Sequence, residues 1–78
     1  MIVKMVDKND KVFYIEPLKI SYIGNSSEDD CDNTGKMFTP TMIVVDGIEI
    51  KVNLTVNEFI GMLDYISSKI EGDNITIN

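Results

Sequence analysis

The dipeptide Asp46-Gly47 stands between two short apolar runs, and it constrains the fold more than any other feature of the sequence. Aspartate followed by glycine suits the positive φ angles of a two-residue type I′ turn, so residues 41–45 and 48–53 are predicted to form a β-hairpin. The turn also fixes which residues face each other. The predicted pairs on one face are Val45 with Ile48, Ile43 with Ile50 and Thr41 with Val52.

The opposite face of this hairpin carries Met42 and Val44, which are predicted to point away from the core. Methionine adapts to irregular contacts, so these two residues and Met62 are candidates for a partner or dimer surface. The alternative is that another part of the chain covers them.

A second hairpin is predicted nearer the N-terminus. Residues 1–7 and 11–15 are rich in β-branched and aromatic residues, and polar turn residues 8–10 separate them. Pro17 has no N–H to donate, so it is predicted to end the second strand or to place it at a sheet edge. Residues 18–23 alternate apolar and polar side chains, which predicts a third strand.

Thr55 and Glu58 have the spacing of a capping box and predict the start of an amphipathic helix over about 55–71. Gly72 is predicted to end this helix, after which residues 74–78 add a short last strand or fray. An apolar stripe along the helix is predicted to cover the sheet. Its members are Val56, Phe59, Ile60, Leu63, Ile66 and Ile70.

The other side of the helix carries Asn57, Gly61, Asp64, Tyr65 and Ser68. A glycine inside a helix costs about 1 kcal/mol relative to alanine. Gly61 next to Tyr65 therefore predicts a flat place that another chain can approach closely. The plainer interpretation is a solvated helix face with one unfavourable glycine.

Several strands followed by one helix, without βαβ alternation, indicate an α+β fold in a single domain over residues 1–78. We expect a small curved antiparallel sheet or an open SH3-like barrel of about five to six strands, with one C-terminal amphipathic helix across its opening. A core of this size seldom contributes more than roughly 3–5 kcal/mol of stability, so a homo-oligomer is also expected.

Residues 25–38 are predicted to form a long polar loop inserted before the hairpin at Asp46-Gly47. The loop contains four acidic residues and one lysine, and so carries half of the chain's net charge of −6. Structureless loops of this length are uncommon in compact domains and are often functional. The acids are candidates for binding a basic surface, and solvated charge is the alternative. They are Glu28, Asp29, Asp30 and Asp32.

The composition disfavours several kinds of chemistry. The chain has neither histidine nor arginine, so it can form no histidine-based triad and no bidentate arginine contact to phosphate. Residues 30–35 resemble the start of an EF-hand calcium loop, but the twelfth position is Thr41 instead of glutamate. We therefore expect no metal, no cofactor and no enzymatic activity. The negative charge disfavours direct binding to nucleic acid or to an anionic membrane.

The sequence also gives expectations about origin and location. All seven basic residues are lysine, and Ile, Asn, Lys and Asp are abundant, a bias that indicates the A/T-rich genes of low-GC bacteria and their phages. The N-terminal residues lack the apolar run of a signal peptide, and the single cysteine, Cys31, cannot form an internal disulfide. We expect a protein of the bacterial cytoplasm.

Two pieces of the chain resemble the FlbD family of small flagellar-operon proteins: MIVKMVDKNDKVFYIEPLKISYIG and VVDGIEIKVNLTVNEFIGML. The chain and the family share one order of elements. A strand, a polar turn, a Phe/Tyr-containing strand and a short third strand come first, and a hairpin with a glycine turn and a helix follow. The chain departs from the family in its acidic loop and its Ile-Thr-Ile tail. The resemblance implies the fold, and no functional residue is carried over from it.

These features favour a non-catalytic binding protein of phage or mobile-element type, which inhibits a bacterial host or defence protein by occupying its basic, nucleic-acid-binding surface. The candidate partner-binding residues are Glu28, Asp29, Asp30, Asp32, Gly61, Tyr65, Met42 and Val44. Two alternatives remain open. One is a FlbD-like regulatory or scaffold protein that acts through β-edge pairing or its helix. The other is an oligomer that holds a small anionic nucleotide ligand between subunits.

Overall fold

The structure is a computed structural model that describes the backbone of residues 1–77 and the side chains of residues 1–66. Its strands pair antiparallel and one helix follows them, so the α+β fold is confirmed. The elements are β1 (Val3–Val6), β2 (Val12–Ile15), a short 3₁₀ helix (Pro17–Lys19), β3 (Ile20–Asn25), β4 (Asp30–Cys31), β5 (Met37–Phe38), β6 (Thr41–Val45), β7 (Ile48–Val52) and α1 (Val56–Ile77).

The strands form three small sheets: the hairpin β1–β2, the main sheet in the order β3–β6–β7, and the hairpin β4–β5. Within residues 1–77, β2 and β7 are not hydrogen-bonded to each other, so the sheets do not close into a barrel. A main-chain bond from the N–H of Lys8 to the C=O of Asn53, at 3.0 Å, joins the first hairpin to the end of β7. Side-chain packing supplies the remaining contact between these two sheets.

The β6–β7 hairpin has the turn and the register that the sequence predicts. Asp46 and Gly47 have φ angles of 51° and 78°, as a type I′ turn requires. The pairs are Thr41 with Val52, Met42 with Lys51, Ile43 with Ile50, Val44 with Glu49 and Val45 with Ile48. Because a slip of one residue would move every side chain to the other face, this turn decides which side chains enter the core.

The hydrophobic core lies between the first hairpin, one face of the main sheet and the first turns of α1. Phe59 from the helix and Ile43 from β6 are almost completely buried. Thr41 is buried beside them, and its hydroxyl donates to the C=O of Leu54 at 2.8 Å, which satisfies a polar group inside the core. The buried apolar residues are Val3, Met5, Ile15, Ile43, Val52, Leu54 and Phe59.

The start of α1 is confirmed by a reciprocal pair of hydrogen bonds. The N–H of Thr55 donates to Glu58 Oε1 at 2.8 Å, and the N–H of Glu58 donates to Thr55 Oγ1 at 3.1 Å. These bonds satisfy two main-chain donors that have no partner within a helix. Of the predicted apolar stripe, Leu63 and Ile66 pack against the core, whereas Ile60 is exposed.

The end of α1 differs from the prediction. The helix continues through Gly72 to Ile77, so residues 74–77 do not form a strand, and Asn78 lies outside the described residues. Glycine ends a helix where it adopts the left-handed conformation and is otherwise tolerated at about 1 kcal/mol. No helix of the described residues is both long enough and apolar enough to cross a membrane.

The third strand begins later than predicted. Pro17 opens a 3₁₀ turn over Pro17–Lys19, and β3 runs from Ile20 to Asn25. The fixed φ of proline suits the first position of a helical turn. Leu18, expected to be an apolar strand residue, is 87% exposed within this turn.

The sequence predicted a polar loop over residues 25–38, but the structure shows regular structure within it. It contains the hairpin β4–β5, in which Asp30 pairs with Phe38 and Cys31 pairs with Met37. Gly35, with a φ of 85°, lies in the turn between the two strands. Each strand has only two residues, too few to give an alternating pattern that the sequence could reveal.

Candidate functional site

The acidic hairpin, defined as residues 28–38, holds its shape partly through its own carboxylates. Asp32 Oδ1 accepts the N–H groups of Thr34 and Lys36 at 2.9 and 3.0 Å and the Thr34 hydroxyl at 2.6 Å. The bond from the Thr34 hydroxyl, followed by that from the Lys36 N–H, lowers the pKa of Asp32. Asp32 is therefore ionised near neutral pH and organises the turn.

Two neighbouring acids attach the hairpin to the rest of the protein. Asp29 Oδ1 accepts the hydroxyl of Thr39 at 2.6 Å. Asp30 Oδ2 accepts a hydrogen bond from Lys51 Nζ at 3.0 Å, and this bond is the main cause of the lowered pKa of Asp30. The remaining acid, Glu28, is exposed, and its carboxylate has no partner within the described residues.

The bond between Asp30 and Lys51 brings two of the predicted surfaces together. Lys51 lies opposite Met42 in the β6–β7 register, so both belong to the sheet face that points away from the core. A shallow depression of about 610 Å³ lies on this face. Its lining residues are Tyr22, Asn25, Ser27, Met42, Val44 and Glu49. We call the acidic hairpin together with Tyr22, Met42, Val44 and Glu49 the outer surface.

Met42 and Val44 are half-buried, and Tyr22 is 56% exposed beside them. In β3, Tyr22 lies opposite Val44 and Gly24 lies opposite Met42. The ring of Tyr22 leans over Gly24, where a side chain would collide with it. The outer surface therefore has an apolar centre with carboxylates at its side.

Asp10 joins this acidic region, although it is distant from it in the sequence. Asn33 Nδ2 donates to Asp10 Oδ2 at 3.3 Å, which brings the turn of the first hairpin beside the turn of the acidic hairpin. Lys8 lies between them and the helix, with Nζ 2.8 Å from Glu58 Oε2 and 5.5 Å from the centre of the Phe38 ring. No local sequence signal could have revealed these long-range contacts.

Gly61 and Tyr65 lie on a different surface. They line an open groove of about 580 Å³ between β1 and α1, together with Met5, Val6 and Met62. No residue of the outer surface lines this groove. An added β-carbon at Gly61 would meet nothing within 4 Å in the described part of the chain, so packing there does not require glycine. The predicted close approach of another chain at Gly61 stays a prediction.

A third surface, on the core face of β7, is not predicted from the sequence. The register places Ile48, Ile50 and Val52 on the core face of β7, but their exposed fractions are 63%, 42% and 4%. The first hairpin thus covers only the Val52 end of the strand. The uncovered part borders an apolar groove of about 420 Å³ between β2 and the β6–β7 hairpin. Alternation shows which face a residue takes, but not how far the opposite layer extends.

Among the described residues, no group of three or more histidine, cysteine, aspartate or glutamate side chains is placed to hold a metal ion. No protein-family model, no curated protein and no solved structure matches this chain. The resemblance to the FlbD family therefore stays a prediction.

Proposed function

We propose that this chain is a non-catalytic binding protein that docks on a basic surface of a partner protein through its outer surface. The observation that carries the proposal is the bond between Asp30 and Lys51, because it joins the acidic hairpin to the sheet face that contains Met42 and Val44. A nucleic-acid-binding protein of a bacterium, such as a nuclease or another defence protein met by a phage, is the class of target whose surface has the matching charge.

The physical basis is the combination of an apolar centre with a charged side. Protein interfaces of ordinary affinity bury aromatic and methionine side chains at the centre and keep polar groups at the rim. On the outer surface, Tyr22 and Met42 are the central aromatic and methionine side chains, and Glu28 and Asp29 are the polar groups of the rim. Acidic rims chiefly speed association and select for basic partners, and their effect weakens as salt screens the charges.

The test compares two variants with equal loss of charge. E28Q/D29N neutralises two acids of the outer surface, keeps a side-chain oxygen at position 29 to accept the Thr39 hydroxyl, and leaves Asp30 and Asp32 unchanged. D46N/D64N removes two acids outside that surface, and asparagine tolerates the positive φ at position 46. Each variant and the unaltered chain are immobilised and exposed to a low-GC bacterial lysate at low and physiological salt. Captured proteins are identified by mass spectrometry and their affinities are then measured.

We expect a basic protein to bind the unaltered chain and D46N/D64N, to bind E28Q/D29N several-fold more weakly, and to be displaced by duplex DNA. Capture that is insensitive to salt and to E28Q/D29N would contradict docking by charge. Light scattering of the purified chain tests the oligomeric alternative, because a stable multimer that captures no protein would favour a ligand held between subunits.

A further inference from the structure

We propose that the free edge of β7 and the groove beside it bind an extended segment of the partner protein in which apolar and basic residues alternate. The segment would add to the main sheet as a strand next to β7. The basic character of the segment rests on the proposed function above, whereas the strand pairing rests on the geometry of β7 alone.

The outer edge of β7 carries main-chain groups that do not bond to β6. A two-residue hairpin turn makes its flanking residues, Val45 and Ile48, a hydrogen-bonded pair, and such pairs alternate along an antiparallel ladder. The N–H and C=O groups of Glu49 and Lys51 therefore point away from β6. Within residues 1–77 no other strand lies hydrogen-bonded on that side of β7. These groups form a ready template for one more strand.

The core side of this edge borders the apolar groove. Ile50 borders the groove, and Val12 and Tyr14 of β2 stand on its other wall, each at least half exposed. Side chains of an added strand point alternately to the two faces of the sheet. Every second side chain of the segment would therefore enter this groove and cover Ile50, which favours apolar residues at those positions.

The side of this edge that faces away from the core carries Glu49 and Lys51. The remaining side chains of the segment would lie beside Glu49, which is exposed and unpaired within the described residues, and near Asp30. Basic residues are complementary to this side. The groove itself has no excess of either charge, because two acidic and two basic residues line it: Asp7, Glu16, Lys11 and Lys51. A second copy of this chain is disfavoured as the occupant because each copy has a net charge of −6.

An unsatisfied acceptor lies at the same place. Asn53, directly after β7, lines the groove, and its Oδ1 is buried without a hydrogen-bond partner within the described residues. Buried acceptors are nearly always satisfied in folded proteins. A donor N–H from an added segment would satisfy this one.

The experiment uses a short peptide of alternating valine and lysine, with acetylated and amidated ends, titrated into the isotope-labelled full chain. Backbone amide signals and hydrogen exchange report the site. A block peptide of the same composition, with all valines before all lysines, controls for charge and apolar content. In the protein, Glu49→Pro removes a free-edge donor without breaking the β6 ladder, and Glu49→Ala removes only the charge.

We expect the alternating peptide to shift the amide signals of Glu49 and Lys51 and to slow their exchange at least several-fold, with the block peptide much weaker. Glu49→Pro should abolish binding, and Glu49→Ala should retain it at reduced affinity. If Glu49→Pro fails to fold, peptides with alternate amides N-methylated provide a second test, because they cannot donate to the C=O groups of Glu49 and Lys51. These peptides should not bind.

Equal binding of the alternating and block peptides, or no protection of Glu49 and Lys51 at about 1 mM peptide, would overturn the inference. Neither result would affect the proposed function, which depends on the loss of capture by E28Q/D29N. Conversely, peptide binding to the β7 edge with normal capture by E28Q/D29N would overturn the charge-based docking and leave the strand pairing intact.

Discussion

Gly24 lies beneath the aromatic ring of Tyr22, so that a β-carbon at position 24 would come within 2.8 Å of the ring carbon Cζ. Both residues belong to β3, and both occupy positions on the outer face of the main sheet. The ring lies over main chain that a glycine leaves bare. The position of Tyr22 on the outer surface thus depends on the absence of a side chain two residues away.

Gly24→Ala is therefore expected to push the ring of Tyr22 outward. Because the ring is the mobile end of an exposed side chain, the unfolding free energy should fall by less than about 1 kcal/mol. In a Tyr22→Ala background the same change should be neutral or stabilising, since alanine loses less chain entropy than glycine on folding. Urea denaturation of the four proteins measures the coupling, and strict additivity would contradict the contact.

The capping box of α1 gives a second prediction. Thr55→Ala removes the acceptor of the Glu58 N–H and should cost about 1 kcal/mol of stability. For a domain of this size the corresponding decrease in Tm is about 4–8 °C. Thr55→Ser keeps the hydroxyl and is the control, expected to lie close to the unaltered protein in a thermal melt. An unchanged Tm for Thr55→Ala would show that the bond contributes nothing.

The pH dependence of stability should contain a contribution from Glu58. Burial raises the pKa of Glu58, but hydrogen bonds from Lys8 and Thr55 outweigh it, so the pKa lies below its usual value of 4.5. A carboxyl with a lowered pKa in the folded state contributes stability above its unfolded pKa, and this contribution is lost as pH falls through the folded pKa.

Glu58→Gln should therefore lower stability near neutral pH and flatten its decrease between about pH 5 and pH 3. Denaturant unfolding at a series of pH values measures both effects. Parallel curves for the variant and the unaltered protein would mean that Glu58 has the same pKa in the folded and unfolded states.

Ile43 and Ile48 lie on the same face of the main sheet but differ in burial, so the same substitution at each position tests how far the core extends. Ile43→Val removes a methylene from a side chain that is 1% exposed and should cost about 0.5–1.5 kcal/mol. Ile48→Val makes the same chemical change on the same face, at a residue that is mostly exposed, and should change the unfolding free energy by less than about 0.5 kcal/mol. Equal costs would show that a further layer covers Ile48 in solution.

The turn of the acidic hairpin should depend on the Asp32 carboxylate. Asp32→Ala removes the acceptor of three donors, whereas Asp32→Asn retains one oxygen. We expect faster hydrogen exchange at the Thr34 and Lys36 amides in the alanine variant, with the asparagine variant between it and the unaltered chain. In an acid titration of the unaltered chain, these amide signals should move with a midpoint below the usual pKa of aspartate, because the pKa of Asp32 is lowered.

The parts of the fold that the sequence predicted depend on local chemistry. Asp46-Gly47 allows few conformations besides a tight hairpin turn, and Thr55 with Glu58 satisfies donors that every helix start exposes. In both cases the decisive residues are within three positions of each other. The register, the core face of β6 and β7 and the start of α1 all followed from them.

The parts that it did not predict depend on contacts between distant residues or on the extent of a layer. The β4–β5 hairpin is held by Asp32 within its turn and by Lys51 from another strand. Asp10 reaches the acidic hairpin through Asn33, which is far from it in the sequence. The groove beside Ile50 exists because a short hairpin covers only part of a longer sheet. None of these leaves a periodic signal in the chain.

The hairpin turn at Asp46 and Gly47 lines neither the acidic hairpin nor the groove. It nevertheless fixes the β6–β7 register, which places Lys51 beside the acidic hairpin and Ile50 at the groove. In a pairing displaced by one position, Ile43 would lie opposite Glu49 or Lys51, so either a charged side chain would enter the core or Ile43 would face water. Residues that do not tolerate a positive φ at these two solvent-facing positions would thus damage binding indirectly, through misfolded molecules. A survey of contact residues alone would overlook these two positions.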